Sequence, residues 1–79
     1  MTQSDLQLLK SNIDGLVRVQ CRDGETFVGK VLSVSEEEQD LIYDLVSTSK
    51  ESQYEKADRQ PAYMIGFKDI DAVELLQAP

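Results

Sequence analysis

The stretch Leu16-Val17-Arg18-Val19-Gln20-Cys21-Arg22-Asp23-Gly24-Glu25-Thr26-Phe27-Val28-Gly29-Lys30-Val31-Leu32-Ser33-Val34 reads as a β-hairpin. Two alternating runs rich in β-branched residues flank Asp23-Gly24. An Asp-Gly pair favours a tight primed turn, because glycine adopts positive φ freely and aspartate tolerates it. Val17, Val19 and Cys21 share one face of the first run, and Phe27, Gly29 and Val31 share one face of the second. Gly29 interrupts that apolar row, and a glycine inside a strand marks a bend, a bulge or a close backbone approach. A hairpin bent midway along its second strand is how a small sheet curls into a barrel.

On the N-terminal side, Ser4-Asp5-Leu6-Gln7 has the form of a capping box, with Ser4 as N-cap. Leu6, Leu9 and Ile13 then fall on one stripe at helical spacing, with Asn12 or Gly15 as stop signals. A short helix over residues 5–12 is expected, laid on the sheet by that stripe. On the C-terminal side, Ser35 to Gln39 is a polar turn and residues 40–46 alternate as a third strand. Residues 47–60 form one long polar loop, and segments of that length are usually functional or mobile. Residues 61–76 hold the last two strands: Pro61 sits where a strand can start, and Lys68-Asp69 makes the sharp turn between them. The expected fold is therefore mainly β, one domain over residues 1–79: a short N-terminal α-helix, then a strongly bent five-stranded antiparallel barrel.

Composition bounds the function. A chain of 79 residues with 41% hydrophobic content supports one thin core, so association is a natural supplement. One cysteine allows no intrachain disulfide, which fits a reducing, cytoplasmic setting. No apolar run is long enough to span a membrane, and no basic region followed by an apolar stretch opens the chain. With 15 acidic against 8 basic residues the net charge is −7, the reverse of a protein that binds nucleic acid chiefly by neutralising phosphates. Histidine is absent, Cys21 shares its face with core valines, and no serine has an evident base partner, so no enzyme activity is expected. No cofactor is implied. Glu36, Glu37, Glu38, Asp40 and Asp44 match no calcium loop and read as a solvated acidic turn, with no metal site expected.

The helix, the five strands and the pattern V-x-V-x-C-R-D-G-E-x-F-x-G-x-V over residues 17–31 resemble the Sm-like family. Leu41 and Tyr43 fit the apolar pair that closes the first family motif, and the likeness runs from about residue 4 to 76. The resemblance implies a strongly bent barrel that assembles into a homo-oligomeric ring and binds single-stranded RNA. It also implies a ring interface in which the edge carrying Tyr63, Met64, Ile65 and Phe67 pairs with a neighbour's Ile70, Val73 and Leu75.

The departures from the family are specific. An acidic residue and an asparagine would flank the turn before the third strand, with an aromatic or imidazole between them. Here those places fall near Ser35 or Glu36 and at Asp40, with Glu37-Glu38-Gln39 between. The arginine of the second motif is missing from Gly66-Phe67-Lys68-Asp69, and Lys68 is the nearest cation. The pore-side pocket thus reads as dismantled or acidic. The candidate RNA-binding residues are Lys68, Asp40 and Glu37 at the two turns, with Lys50, Tyr54, Lys56 and Arg59 in the polar loop, where acidic residues interleave with them. The alternative expectation keeps the ring and makes it a protein-interaction scaffold without an RNA pocket. A monomeric adaptor with an open sheet edge is a third.

Overall fold

Thr2, rather than Ser4, caps the helix. The Thr2 hydroxyl accepts from the Asp5 amide at 3.2 Å and the Asp5 carboxylate accepts from the Thr2 amide at 3.0 Å, a reciprocal box whose cap lies ahead of the expected Ser4. Helix α1 therefore spans Gln3–Ser11, with Asn12 as its C-cap, in a computed structural model that describes residues 1–50 and 62–79. The earlier end leaves Ile13 outside the helix and 38% exposed, while Leu9 is fully buried.

Five antiparallel strands follow: β1 (Leu16–Cys21), β2 (Thr26–Ser35), β3 (Asp40–Thr48), β4 (Tyr63–Gly66) and β5 (Ile70–Gln77). They form one sheet in the order β4-β3-β2-β1-β5, so the last two strands lie at its opposite edges. The fold is mainly β, as the sequence implies. β3 runs two residues beyond the expected 40–46, and a 3-10 turn at Phe67–Asp69 takes the place of the sharp Lys68-Asp69 turn.

The opening hairpin departs from a primed two-residue turn. Gly24 has φ +94, but Asp23 is not among the residues with positive φ. The amide of Gly24 donates to the Cys21 carbonyl at 3.1 Å and that of Cys21 to the Glu25 carbonyl at 2.8 Å. The Asp23 carboxylate accepts instead from the Glu25 amide at 2.9 Å. Aspartate thus serves as a side-chain acceptor, and glycine alone supplies the left-handed residue.

Alternation along the strands sends Val17, Val19, Cys21, Phe27, Val31, Leu41, Tyr43 and Leu45 into the core, which Leu9 of α1, Phe67 and Ile70 complete. Gly29 sits at a register shift between β2 and β3, with a second shift between Val31 and Ser33. What that glycine marks is this register shift, with aromatic side chains packed closely over it. The Phe27 and Tyr43 rings stack at 4.3 Å between centroids, and Tyr43 lies 6.0 Å from Tyr63. A Cβ on Gly29 would stand 3.0 Å from Tyr43 Cδ2. No helix among the described residues is long and apolar enough to cross a membrane.

Candidate nucleic-acid and partner site

Two turns distant in sequence meet at one end of the sheet. The Phe67 amide donates to the Gln39 carbonyl at 2.8 Å, and Asp40 stands opposite Gly66 in the β3–β4 ladder. The β2–β3 turn and the β4–β5 turn are thereby locked side by side. Gln39 makes the reversal possible with φ +59, and its side-chain amide donates to the Glu36 carbonyl at 2.5 Å. The hairpin turn joins them where the Arg22 amide donates to the Asp69 carbonyl at 2.9 Å.

Gln39 and Lys68 separate two cavities of opposite character. The first, of about 390 Å³, lies between the start of α1 and the two turns and is lined by Met1, Thr2, Gln3, Leu6, Arg22, Gln39, Phe67 and Lys68. It contains two cationic side chains, two primary amides and no carboxylate. The α-amino group of Met1 donates to the Ile70 carbonyl at 2.9 Å along its wall. The second, of about 490 Å³, opens on the β4 side and is lined by Glu38, Gln39, Asp40, Met64, Gly66 and Lys68.

Of the residues read from the sequence, Lys68 borders both cavities and Asp40 only the second, while Glu37 is exposed and borders neither. Lys50 belongs to a different cluster, where its ammonium pairs with Asp23 at 2.9 Å at the hairpin turn. Tyr54, Lys56 and Arg59 lie outside the described residues. Gln3 and Gln39 are the additions, and Arg22, an arginine of the first run that the sequence leaves open to a neighbour or RNA, joins them in the first cavity. Gln3 comes from the helix start, which the sequence signals placed too late. Gln39 escapes notice because it neighbours Lys68 only through the Gln39–Phe67 backbone bond. Among the described residues, the Arg22 side chain carries only a long ion pair with Asp71, at 3.6 Å.

The residues read as an interface divide. Tyr63, Ile65 and Val73 are half-buried, and Met64 and Leu75 are exposed at 68% and 38%. Phe67 and Ile70 instead fill the chain's own core, at 8% and 0% exposure, so a neighbour could meet only their backbone. Phe67 keeps the core-side parity of Tyr63 and Ile65, and the 3-10 turn at Phe67–Asp69 ends β4 there.

Cys21, Asp23 and Glu25 place ligand atoms within 4.8 Å of one another, the one such cluster among the described residues. Each is otherwise engaged. Burial, followed by the Glu25 and Asp23 carboxylates, pushes the Cys21 thiol up to about 11. The Thr48 hydroxyl donates to Glu25, and Lys50 sits on Asp23. A thiol held protonated is a poor metal ligand and a poor nucleophile. The cluster sews the hairpin turn to the end of β3. No family model, curated protein or solved structure matches the chain.

Proposed function

We propose that the protein is an Sm-like subunit that assembles into a homo-oligomeric ring and binds single-stranded RNA in the cavity between α1 and the two turns. The observation that carries this reading is the lining of that cavity: Arg22, Lys68, Gln3 and Gln39 converge, with no carboxylate among them, in a chain of net charge −7. Cations supply attraction for a phosphate, and primary amides offer both donor and acceptor to a base edge. At about 390 Å³ the volume lies within the range of small-ligand sites, about 300–1,000 Å³. Phe67 lines the wall but is 8% exposed, so stacking contributes less than in an open platform.

The sheet order supports the ring. β4 and β5 present opposite edges, and edge strands carry backbone donors and acceptors that seek partners. Tyr63 and Ile65 on one edge and Val73 and Leu75 on the other face the core side and are incompletely covered. Pairing β4 of one subunit with β5 of the next would continue that apolar row, a head-to-tail contact that closes if the rotation permits.

Native mass spectrometry, followed by anisotropy with short single-stranded RNA, tests both halves. Val73→Pro, and Leu75→Lys as a variant that keeps the backbone, should each break the ring; an unchanged oligomer after both would overturn the interface. Arg22→Glu with Lys68→Glu should weaken RNA binding at least about tenfold and flatten its salt dependence by roughly 0.7 in slope per lost phosphate contact. The scaffold reading is favoured by the acidic turn at Glu36 to Glu38, and it predicts a ring that ignores RNA even at low salt.

A further inference from the structure

The second cavity lies on the face of the sheet turned away from the core. Leu41 and Tyr43 point inward at 0% and 4% exposure, so Asp40, Ile42 and Asp44 of β3 share the outer face. The register sets Met64 opposite Ile42 and Gly66 opposite Asp40. Gly66 carries no side chain, and a Cβ there would find no neighbour nearer than 3.7 Å. The result is a notch with two unlike walls. Met64, 68% exposed beside the half-buried Ile42, makes one apolar. Glu38 and Asp40 make the other anionic, neither with an ion-pair partner among the described residues, and Lys68 borders the notch as it borders the first cavity, leaving two carboxylates against one ammonium.

An exposed methionine beside two carboxylates that form no ion pair among the described residues suits a side chain with an aliphatic stem and a cationic head. Arginine meets both needs, since its planar guanidinium matches carboxylates in forked geometry better than a point-charge ammonium does. We propose that this notch takes an arginine side chain from an extended basic peptide, its stem on Met64 and Ile42 and its guanidinium on Glu38 and Asp40. The net charge of −7 draws such a peptide in and drives phosphate away from this side of Lys68. Pairing of the β4 edge in the plane of the sheet leaves this face open, so the site does not depend on the ring or on RNA.

The test is fluorescence anisotropy with a short labelled peptide of alternating arginine and valine, titrated with the full chain at low and moderate salt. Met64→Ser should weaken binding about fivefold at unchanged charge, by exposing apolar surface the stem had covered. Glu38→Gln with Asp40→Asn should weaken it about tenfold or more, whereas Glu36→Gln with Glu37→Gln, which removes equal charge outside the notch, should change it less than about twofold. The matching peptide of lysine and valine should bind several-fold more weakly. Equal losses from the two double variants, or no effect of Met64→Ser in a variant with unchanged melting temperature, would reduce the binding to general attraction and overturn the proposal. Absence of binding at low salt would overturn it outright.

Discussion

Gly29→Ala is the sharpest probe of how the sheet is bent. The added methyl carbon would lie 3.0 Å from Tyr43 Cδ2, 3.1 Å from the Asp44 carbonyl oxygen and 3.4 Å from Phe27 Cε1. Comfortable carbon–carbon contact is about 3.5–4.0 Å, so the ring would have to retreat by about 0.5 Å or more. It has little room to do so. Tyr43 is 4% exposed and its ring is stacked on Phe27 at 4.3 Å. Overpacking of this kind costs about 1–3 kcal/mol, and the lower chain entropy of alanine returns about 0.4–1 kcal/mol. A net loss of about 1–2 kcal/mol corresponds to a melting temperature lowered by about 5–15 °C in a domain of this size. Thermal and urea unfolding followed by far-ultraviolet circular dichroism, at fixed protein concentration because self-association adds stability, reads it directly. Combining Gly29→Ala with Phe27→Leu should cost less than the sum of the two single changes by about 0.5 kcal/mol or more, since the smaller side chain gives Tyr43 somewhere to go. A melting temperature for Gly29→Ala equal to or above the parent's would refute the reasoning.

Further expectations concern the hairpin turn. Cys21 should resist iodoacetamide at neutral pH in the native chain and react readily in urea; equal rates would show that the thiol is not covered. Because its pKa is raised above the ordinary 9.0 to about 11, the folded state holds the proton longer than the unfolded one, so stability should fall as pH rises across that interval. The Asp23 carboxyl is held below its ordinary 3.8 first by the Glu25 amide and then by the Lys50 ammonium. A depressed carboxyl contributes stability that is present above its unfolded pKa and lost as pH falls through the folded one, so Asp23→Asn should narrow the gap between urea midpoints at neutral and strongly acid pH. The same pair raises Lys50 above 10.5, a contribution present below that value and lost at still higher pH. Phe27→Ala should cost about 3–5 kcal/mol and leave the chain largely unfolded at ambient temperature, as judged by loss of chemical-shift dispersion.

The elements were legible where one signal dominated. Alternation across Asp23-Gly24 gave β1 and β2, and Gly29 located the register shift. The helix start was missed because Thr2 and Ser4 are both competent caps, and it is Thr2 that forms the reciprocal box with Asp5. The turn type was missed because Asp23 has a second use, as a side-chain acceptor, that a dipeptide preference does not reveal. Within the candidate site, Lys68 stood out as the cation nearest the family motif. The amides beside it did not, since their proximity rests on backbone bonds between residues as far apart as Gln39 and Phe67. Phe67 and Ile70 look like edge residues in the sequence, yet both fill the chain's own core, on either side of a 3-10 turn to which patterns of alternation are blind.

The strand order also sets the sequence in which the sheet can be completed. β1 to β4 form a run of neighbours, each pairing with the strand next to it in sequence, and such local pairings form faster than distant ones. β5 is different: it must find β1, and the Arg18–Glu74 contact joins residues 56 positions apart. Folding should therefore be limited by the docking of β5, the step with the largest loop-closure entropy. Cys21 stands opposite Ile70 in that final ladder, so its thiol is one of the last core groups to be covered. Pulsed thiol labelling during refolding would thus time the closure of the sheet, with the native cysteine as the clock.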